Sequence, residues 1–120
     1  MNDPKMYLIY IQECITKIQR LTAEGHEAVE SNDNNTAALL YYLHTMAEAT
    51  QHLPEPLKMQ YPDIPWQQIS GFRNRLVHGY LSMDMSIIWR IVDHSLLPLK
   101  TAIEAMLQEM DANQSNDKTP

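Results

Sequence analysis

The sequence predicts an all-α protein built as an up-and-down bundle of four to five helices. Its 120 residues are 44% hydrophobic and 20% charged, a composition with which one domain can bury a core. Only three glycines occur, which leaves few sites for tight hairpin turns. Apolar residues recur at three- and four-residue steps through most of the chain, and this spacing places them on one face of a helix.

The first half of the chain predicts two long helices. Apolar residues recur at helical spacing over residues 6 to 23, and Gly25 suits a left-handed residue that ends this helix. A run of turn-forming residues follows, after which Asn35 or Thr36 would cap a second helix that ends at Pro54. These are the first two of four main helices.

Prolines divide the middle of the chain. Pro54, Pro56, Pro62 and Pro65 mark a connector in which no long helix can form. Pro65 also fits the first turn of a third helix, because its missing N–H has no partner there in any case. We expect this helix over about residues 66 to 78.

The C-terminal part of the chain predicts one further helical region. Gly79 suits a left-handed residue after the third helix, and Asp84 suits the N-cap of the next one. Pro98 should kink or divide that last helix. We expect a single domain over residues 1–110 and a disordered tail over residues 111–120, because the tail has no large apolar residue to bury.

Charge and cysteine content exclude several classes of protein. The net charge of −6 argues against a surface that binds nucleic acid over its whole extent. No apolar run approaches the roughly 20 residues of a membrane span, and the N-terminus lacks the layout of a signal peptide, so we expect a cytoplasmic protein. Cys14 is the only cysteine, which rules out an intrachain disulfide.

The run GFRNRLVHGY, residues 71 to 80, concentrates positive charge in this acidic chain. No carboxylate occurs between Asp63 and Asp84, whereas Arg73 and Arg75 lie inside that interval. The run is therefore a candidate site for an anion.

The residue types allow two interpretations of this run. In the first, His78 caps carbonyls at a helix end, the arginines favour the negative helix terminus, and Tyr80 packs. In the second, the helix ends at Gly79 and lets His78 and Tyr80 turn into a shared cleft with Arg73. On a continuous helix, His78 would lie about 140° around from Arg73. These physical arguments leave both interpretations open.

RNA cleavage suits the residue types of the second interpretation. The ribose 2′-hydroxyl is an internal nucleophile, so the reaction needs a base, an acid and donors to the phosphate, and in principle no metal ion. Histidine titrates at about pH 6.5 and can fill either proton-transfer role, whereas arginine presents a charged planar fork to phosphate oxygens. His78 and Arg73 fit these roles, and a twofold dimer would add a second His78.

Arg73, His78 and Tyr80 form the pattern R-x4-H-x-Y, which resembles the motif of HepT-type toxins in the HEPN superfamily of small helical ribonucleases. The likeness extends over residues 47 to 80, where YPDIPW precedes RNRLVH, and over the MDMSIIWRIVDHSLLPLK that follows. It covers roughly residues 5 to 107.

The resemblance implies a dimeric helical bundle with a metal-independent endoribonuclease site, free of any cofactor, in the cleft between two copies. Arg73 and His78 would be catalytic, Asn74 would support them, and Tyr80 would be the regulated position. Similar toxins belong to type VII toxin–antitoxin systems, in which an MntA-type nucleotidyltransferase antitoxin transfers AMP onto the motif tyrosine. The expected partners are RNA (tRNA or mRNA), this antitoxin and a second copy, but neither DNA nor a membrane.

One segment of the second helix departs from the family pattern. Where similar proteins read NLEIIGEA, this chain reads YLHTMAEA at residues 42 to 49, so Tyr42 and Ala47 replace an asparagine and a glycine. If the asparagine of similar proteins lines the cleft, its replacement here would reduce activity or change the choice of substrate. The rival hypothesis is a noncatalytic HEPN subunit that binds a nucleotidyltransferase.

His44, Glu48 and His52 climb one helical stripe at four-residue spacing, which can hold a metal ion. A divalent ion would need further ligands. We therefore favour a polar edge of the second helix, on which Glu48 meets a basic group near the dimer interface.

Overall fold

The computed structural model describes residues 3–79 and 83–117, with side chains up to residue 114. These ranges contain helices and no strand, which confirms the all-α prediction. The elements are α1 (Pro4–Leu21), α2 (His26–Glu30), α3 (Asp33–Gln51), α4 (Glu55–Met59), α5 (Trp66–His78), α6 (Met85–Arg90), a π-helix (Ile91–Ser95) and α7 (Leu96–Asp117). The two short helices α2 and α4 were not predicted.

Helix α1 begins at a side-chain cap. The carboxylate of Asp3 accepts a hydrogen bond of 2.9 Å from the backbone N–H of Lys5. The apolar stripe then faces the core through Leu8, Ile11, Cys14, Ile15 and Ile18. Gly25 has the expected left-handed φ of 101°, but it precedes α2 instead of ending α1, because Thr22 already closes α1.

Helix α3 begins earlier than predicted. The side-chain oxygen of Asn32 accepts hydrogen bonds of 3.0 and 3.1 Å from the backbone N–H groups of Asn34 and Asn35. Asn32 is therefore the N-cap, and the prediction of Asn35 or Thr36 is wrong. All of these residues favour caps, and only the extended backbone of Asn32 distinguishes the one that is used.

One core cluster holds the long helices together. Helix α3 packs against α1, α2 and α5, and α1 packs against α7. The largest fully buried side chains include Leu8, Ile11, Ile18, Leu39, Leu43, Leu76, Ile103 and Met106. Burial of one such side chain is worth about 1.5–3 kcal/mol, so this cluster fixes how α5 lies on α3.

Helix α5 has the predicted bounds, and the connector before it is ordered by Trp66. The indole Nε1 of Trp66 donates hydrogen bonds of 3.1 Å to the carbonyl oxygens of Lys58 and Tyr61. Gly79 follows α5 with φ −170° and ψ 65°, so the prediction of a left-handed residue is wrong.

The last helical region is divided, as Pro98 predicts. Asp84 caps α6 by accepting a hydrogen bond of 2.9 Å from the backbone N–H of Ser86. The π-helix follows, and Leu96 donates its backbone N–H to the carbonyl of Ile91. Pro98 lies in the first turn of α7, where the N–H that proline lacks is not required.

Helix α7 continues to Asp117, past residue 110, where the predicted domain ends. That domain boundary stays a prediction. Among the helices of the described ranges, none combines the length and apolar character of a membrane span.

Candidate functional site

The packing of α5 exposes the basic run. Phe72 and Leu76 lie four residues apart on this helix and are buried, with 7% and 1% of their surface exposed. They fix the rotation of α5, which leaves Arg73 half-buried and both Arg75 and His78 exposed. The predicted site is thus on the surface of a helix whose backbone is held by the core.

Arg73 is bound on two sides. Its Nε donates a hydrogen bond to the Oε2 of Glu48 on α3, and its Nη1 donates one of 3.1 Å to the Oδ1 of Asn74. These bonds use two of the five N–H groups of the guanidinium, so others can still meet a phosphate. The structure brings Arg73 and Asn74 together and fixes the orientation of the arginine.

Glu48 also lies near a histidine that contacts α1. Its Oε1 lies 4.0 Å from the Nε2 of His52, one helical turn along α3. The His52 ring stacks on Tyr7 of α1, with ring centroids 4.7 Å apart and an angle of 7° between the planes. The expectation that Glu48 meets a basic group is confirmed, and the group is Arg73.

The metal alternative finds no geometric support. Among the described side chains, no group of three or more histidine, cysteine, aspartate or glutamate residues lies close enough to hold an ion. Glu48 binds Arg73 instead of joining His44 and His52 around a metal.

His78 is the last residue of α5 and lines a cavity of about 250 Å³ together with Arg75, Gly79 and Met83. The second interpretation requires His78 to turn toward Arg73 of the same chain. His78 instead remains helical and does not make this turn. Arg75 lies three residues before His78 and about 60° around the helix from it, whereas Arg73 lies about 140° away. The pairing of Arg75 with His78 was not predicted from the sequence, although their three-residue spacing on a helix indicates it.

Tyr80 lies outside the described residues. The expectation that it is modified therefore rests on the R-x4-H-x-Y motif and on its position two residues after His78.

Comparison with known proteins bears on what this surface does. The family model described as ribonuclease HepT-like matches residues 11–106, which include α5 and all of the motif. The chain belongs to the HepT-like ribonuclease family. The resemblance seen in the sequence is thereby confirmed.

Several named proteins are similar to this chain over most of its length. A protein of Caldanaerobacter subterraneus, named as a candidate RNase, is 29% identical over 91% of this chain and 98% of its own length. One of Thermococcus cleftensis, named as a candidate ribonuclease HepT, is 29% identical over 85% of this chain and 94% of its own.

A longer protein of Methanocaldococcus jannaschii, named as a gamma-glutamylcyclotransferase and candidate RNase, is 29% identical over 96% of this chain, which spans 52% of that protein. No solved structure matches this chain significantly.

Tyr42 and Ala47, which replace the asparagine and the glycine of the HepT pattern, have different surroundings. Tyr42 contacts Tyr41 edge-on at 5.8 Å between ring centroids, and the Nζ of Lys17 lies 5.6 Å from the centre of the Tyr42 ring. Tyr42 therefore faces α1 and does not line the cavity at His78. Ala47 is fully buried and forms part of the wall of a second cavity, which also contains Arg75.

Proposed function

We propose that this HepT-like ribonuclease is a metal-independent endoribonuclease that cuts tRNA or mRNA in the cytoplasm, at a cleft between two copies of the chain. The observation that carries the proposal is the bound state of Arg73. Its contacts with Glu48 and Asn74 orient a guanidinium on the helix that also presents an exposed His78. Family membership and the names of the relatives support ribonuclease activity.

In this mechanism one His78 acts as base and takes the proton of a ribose 2′-hydroxyl. The 2′-oxygen attacks phosphorus, the bond from phosphorus to the 5′-oxygen breaks, and a second His78 returns a proton to that oxygen. The products are a 2′,3′-cyclic phosphate and a 5′-hydroxyl. Arg73 stabilises the charge that develops on the phosphate oxygens, and Asn74 keeps Arg73 in place.

Two observations support the dimer. Arg73 and His78 point from different faces of α5, so a phosphate that meets both is better served by residues of two chains. In addition, α1 and α3 expose large apolar side chains, with 68% of Met6, 38% of Tyr10 and 56% of Tyr41 accessible. Met6 and Tyr10 share a hollow of about 640 Å³ with Glu48, next to Arg73. A second copy would cover this surface.

Regulation would act through Tyr80. An MntA-type nucleotidyltransferase would transfer AMP from ATP onto the phenol oxygen and release pyrophosphate. The added phosphate and base stand two residues from His78, where negative charge repels an RNA backbone and bulk obstructs it.

A cleavage assay tests the mechanism. The unmodified protein is incubated in EDTA with tRNA and with an mRNA pool, beside His78→Ala and Arg73→Ala. We expect cleavage to fall by about 10²- to 10⁴-fold in the His78 variant, and cut ends to carry a 2′,3′-cyclic phosphate or its hydrolysis product. His94→Ala, which removes an exposed histidine of the π-helix, is the matched control and should cut normally.

Intact RNA with folded, dimeric protein would favour the rival function, a noncatalytic subunit that binds a nucleotidyltransferase. The observation that favours this rival is that Tyr42 and Ala47 stand where similar ribonucleases have an asparagine and a glycine.

A further inference from the structure

A second cavity of about 400 Å³ adjoins the one at His78. It lies between α3, α5, α6 and the π-helix, and apolar side chains such as Ile69, Phe72 and Ile87 form its walls. Two exposed arginines, Arg75 and Arg90, also line it. Its volume is in the range of sites that bind small organic ligands.

Arg75 connects the two cavities, because it lines both of them. Among the described residues that line the two cavities there is no aspartate or glutamate, whereas Arg75, Arg90 and His78 supply positive charge or hydrogen-bond donors. A ligand that fits both cavities has a flat apolar part next to an anionic part. A nucleotide has this composition.

Asp84 shows that the two arginines act on one region. The pKa of its carboxyl is lowered first by the hydrogen bonds from Ser86, and also by the charges of Arg75 and Arg90. Both guanidinium groups are thus within electrostatic reach of the start of α6. Asp84 itself is used as the N-cap of α6.

Polar side chains among the apolar walls provide a means to recognise a base. Gln68 and Ser95 line the same cavity and can bond to the edge of a nucleobase. Arginine guanidinium planes stack on the faces of unpaired bases, and apolar walls accept those faces.

We propose that this cavity binds the base of an RNA nucleotide adjacent to the scissile phosphate, and that Arg75 holds the backbone phosphate between that base and His78. The choice of RNA as the ligand rests on the proposed ribonuclease function. The cavity then contributes to the choice of cleavage position, because Gln68 and Ser95 contact the base edge.

Gly71 offers a way to fill the cavity without damage to the core. It lies in the cavity wall, and a Cβ atom built on it meets no other atom within 4 Å. Gly71→Ala and Gly71→Leu therefore form a matched pair, in which only leucine extends far into the space. Alanine and leucine both favour a helix more than glycine does, which protects the fold in both variants.

The test measures binding of short 2′-O-methyl oligonucleotides of A, of C and of U. These probes cannot be cut, because the 2′-hydroxyl that acts as nucleophile is methylated. We expect unequal affinities for the three probes in the wild type and in Gly71→Ala, and equal, weaker affinities in Gly71→Leu.

Arg90→Gln should weaken binding of the preferred probe about ten-fold, as expected for the loss of one charge-assisted contact. Arg20→Gln is the matched control, because Arg20 is also exposed and also stands in the last turn of its helix. It should bind like the wild type.

The base site is wrong if Gly71→Leu keeps the preference of the wild type, or if Arg90→Gln and Arg20→Gln weaken binding equally. A change in the oligomeric state of Gly71→Leu with unchanged probe binding would also contradict the base site, because a second copy of the chain, and not RNA, would then cover the cavity. These outcomes are separate from the ribonuclease mechanism. Base-selective binding without cleavage of ordinary RNA would contradict the mechanism alone, and cleavage without base selectivity would contradict the base site alone.

Discussion

Arg73 and Arg75 are two residues apart on one helix, yet their surroundings differ in kind. Arg73 has 28% of its side chain exposed and is bound by Glu48 and Asn74. Arg75 is exposed and lines two cavities, and none of the other described residues that line them carries a carboxylate. The first arginine has a fixed orientation and a partly neutralised charge, whereas the second keeps its charge available to a ligand. A fixed guanidinium can stabilise the transition state, whereas an available charge contributes to binding. Changes at Arg73 should therefore affect kcat, and changes at Arg75 should affect KM.

The anchor of Arg73 should give the larger effect. Glu48→Ala is expected to lower kcat about 10- to 100-fold with little change in KM, because a guanidinium that is free to rotate no longer meets the transition state. Glu48→Gln should retain most of the activity, since its amide oxygen can still accept the hydrogen bond from Nε.

Thermal unfolding separates this positioning role from a structural one. A partly exposed ion pair such as Arg73–Glu48 contributes about 1 kcal/mol, so both Glu48 variants should unfold close to the wild-type temperature. Wild-type kcat in Glu48→Ala would mean that the orientation of Arg73 does not matter for catalysis.

The loss of Arg75 should act on binding. Arg75→Gln is expected to raise KM about ten-fold while kcat changes little, because it removes one contact to a phosphate. The slope of log affinity against log salt concentration should become shallower by about 1. Arg73→Gln provides the contrast, since it should lower kcat instead. If both variants change the same constant by the same factor, the division of roles between the two arginines is incorrect.

Asp84 should give the smallest effect on RNA. Asp84→Asn removes a carboxylate that the charges of Arg75 and Arg90 reach, and asparagine still caps a helix, so RNA should bind about two- to threefold more tightly at low salt. Asp33→Asn, a change at an exposed carboxylate in the first turn of α3, should have no such effect. Equal gains in the two variants would reflect net charge alone.

The Asp84 variant also has a defined dependence on pH. The hydrogen bonds from Ser86 lower the pKa of this carboxyl in the folded protein, so its contribution to stability is present above the usual pKa and disappears as the pH falls through the lowered value. Asp84→Asn should therefore lose less stability than the wild type on acidification. Unfolding midpoints measured from pH 6 downwards would check this, and parallel curves would contradict it.

Much of the fold follows from local sequence. The bounds of α5, the cap at Asp84 and the division before Pro98 depend on residues close together in the chain, and all three were predicted. The start of α3 was not, because several neighbouring residues can cap a helix and the choice of Asn32 depends on how the preceding chain approaches. Gly79 suits a left-handed turn by its residue type, but its φ of −170° shows that a glycine after a helix need not adopt one.

The candidate site likewise has features that follow from local sequence and features that only the tertiary structure decides. The sequence alone established an all-α chain and a basic run with a histidine and an arginine at the spacing of the HepT motif, because helical periodicity and motif spacing are local properties. Only the tertiary structure showed that Glu48 binds Arg73 and that Arg75 shares a cavity with His78. Burial of Phe72 and Leu76 sets the rotation of α5, and that burial depends on helices distant in sequence. A rotation of α5 by about 200°, the angle between residues two apart on a helix, would exchange the surroundings of the two arginines, and no local pattern in the chain fixes that rotation.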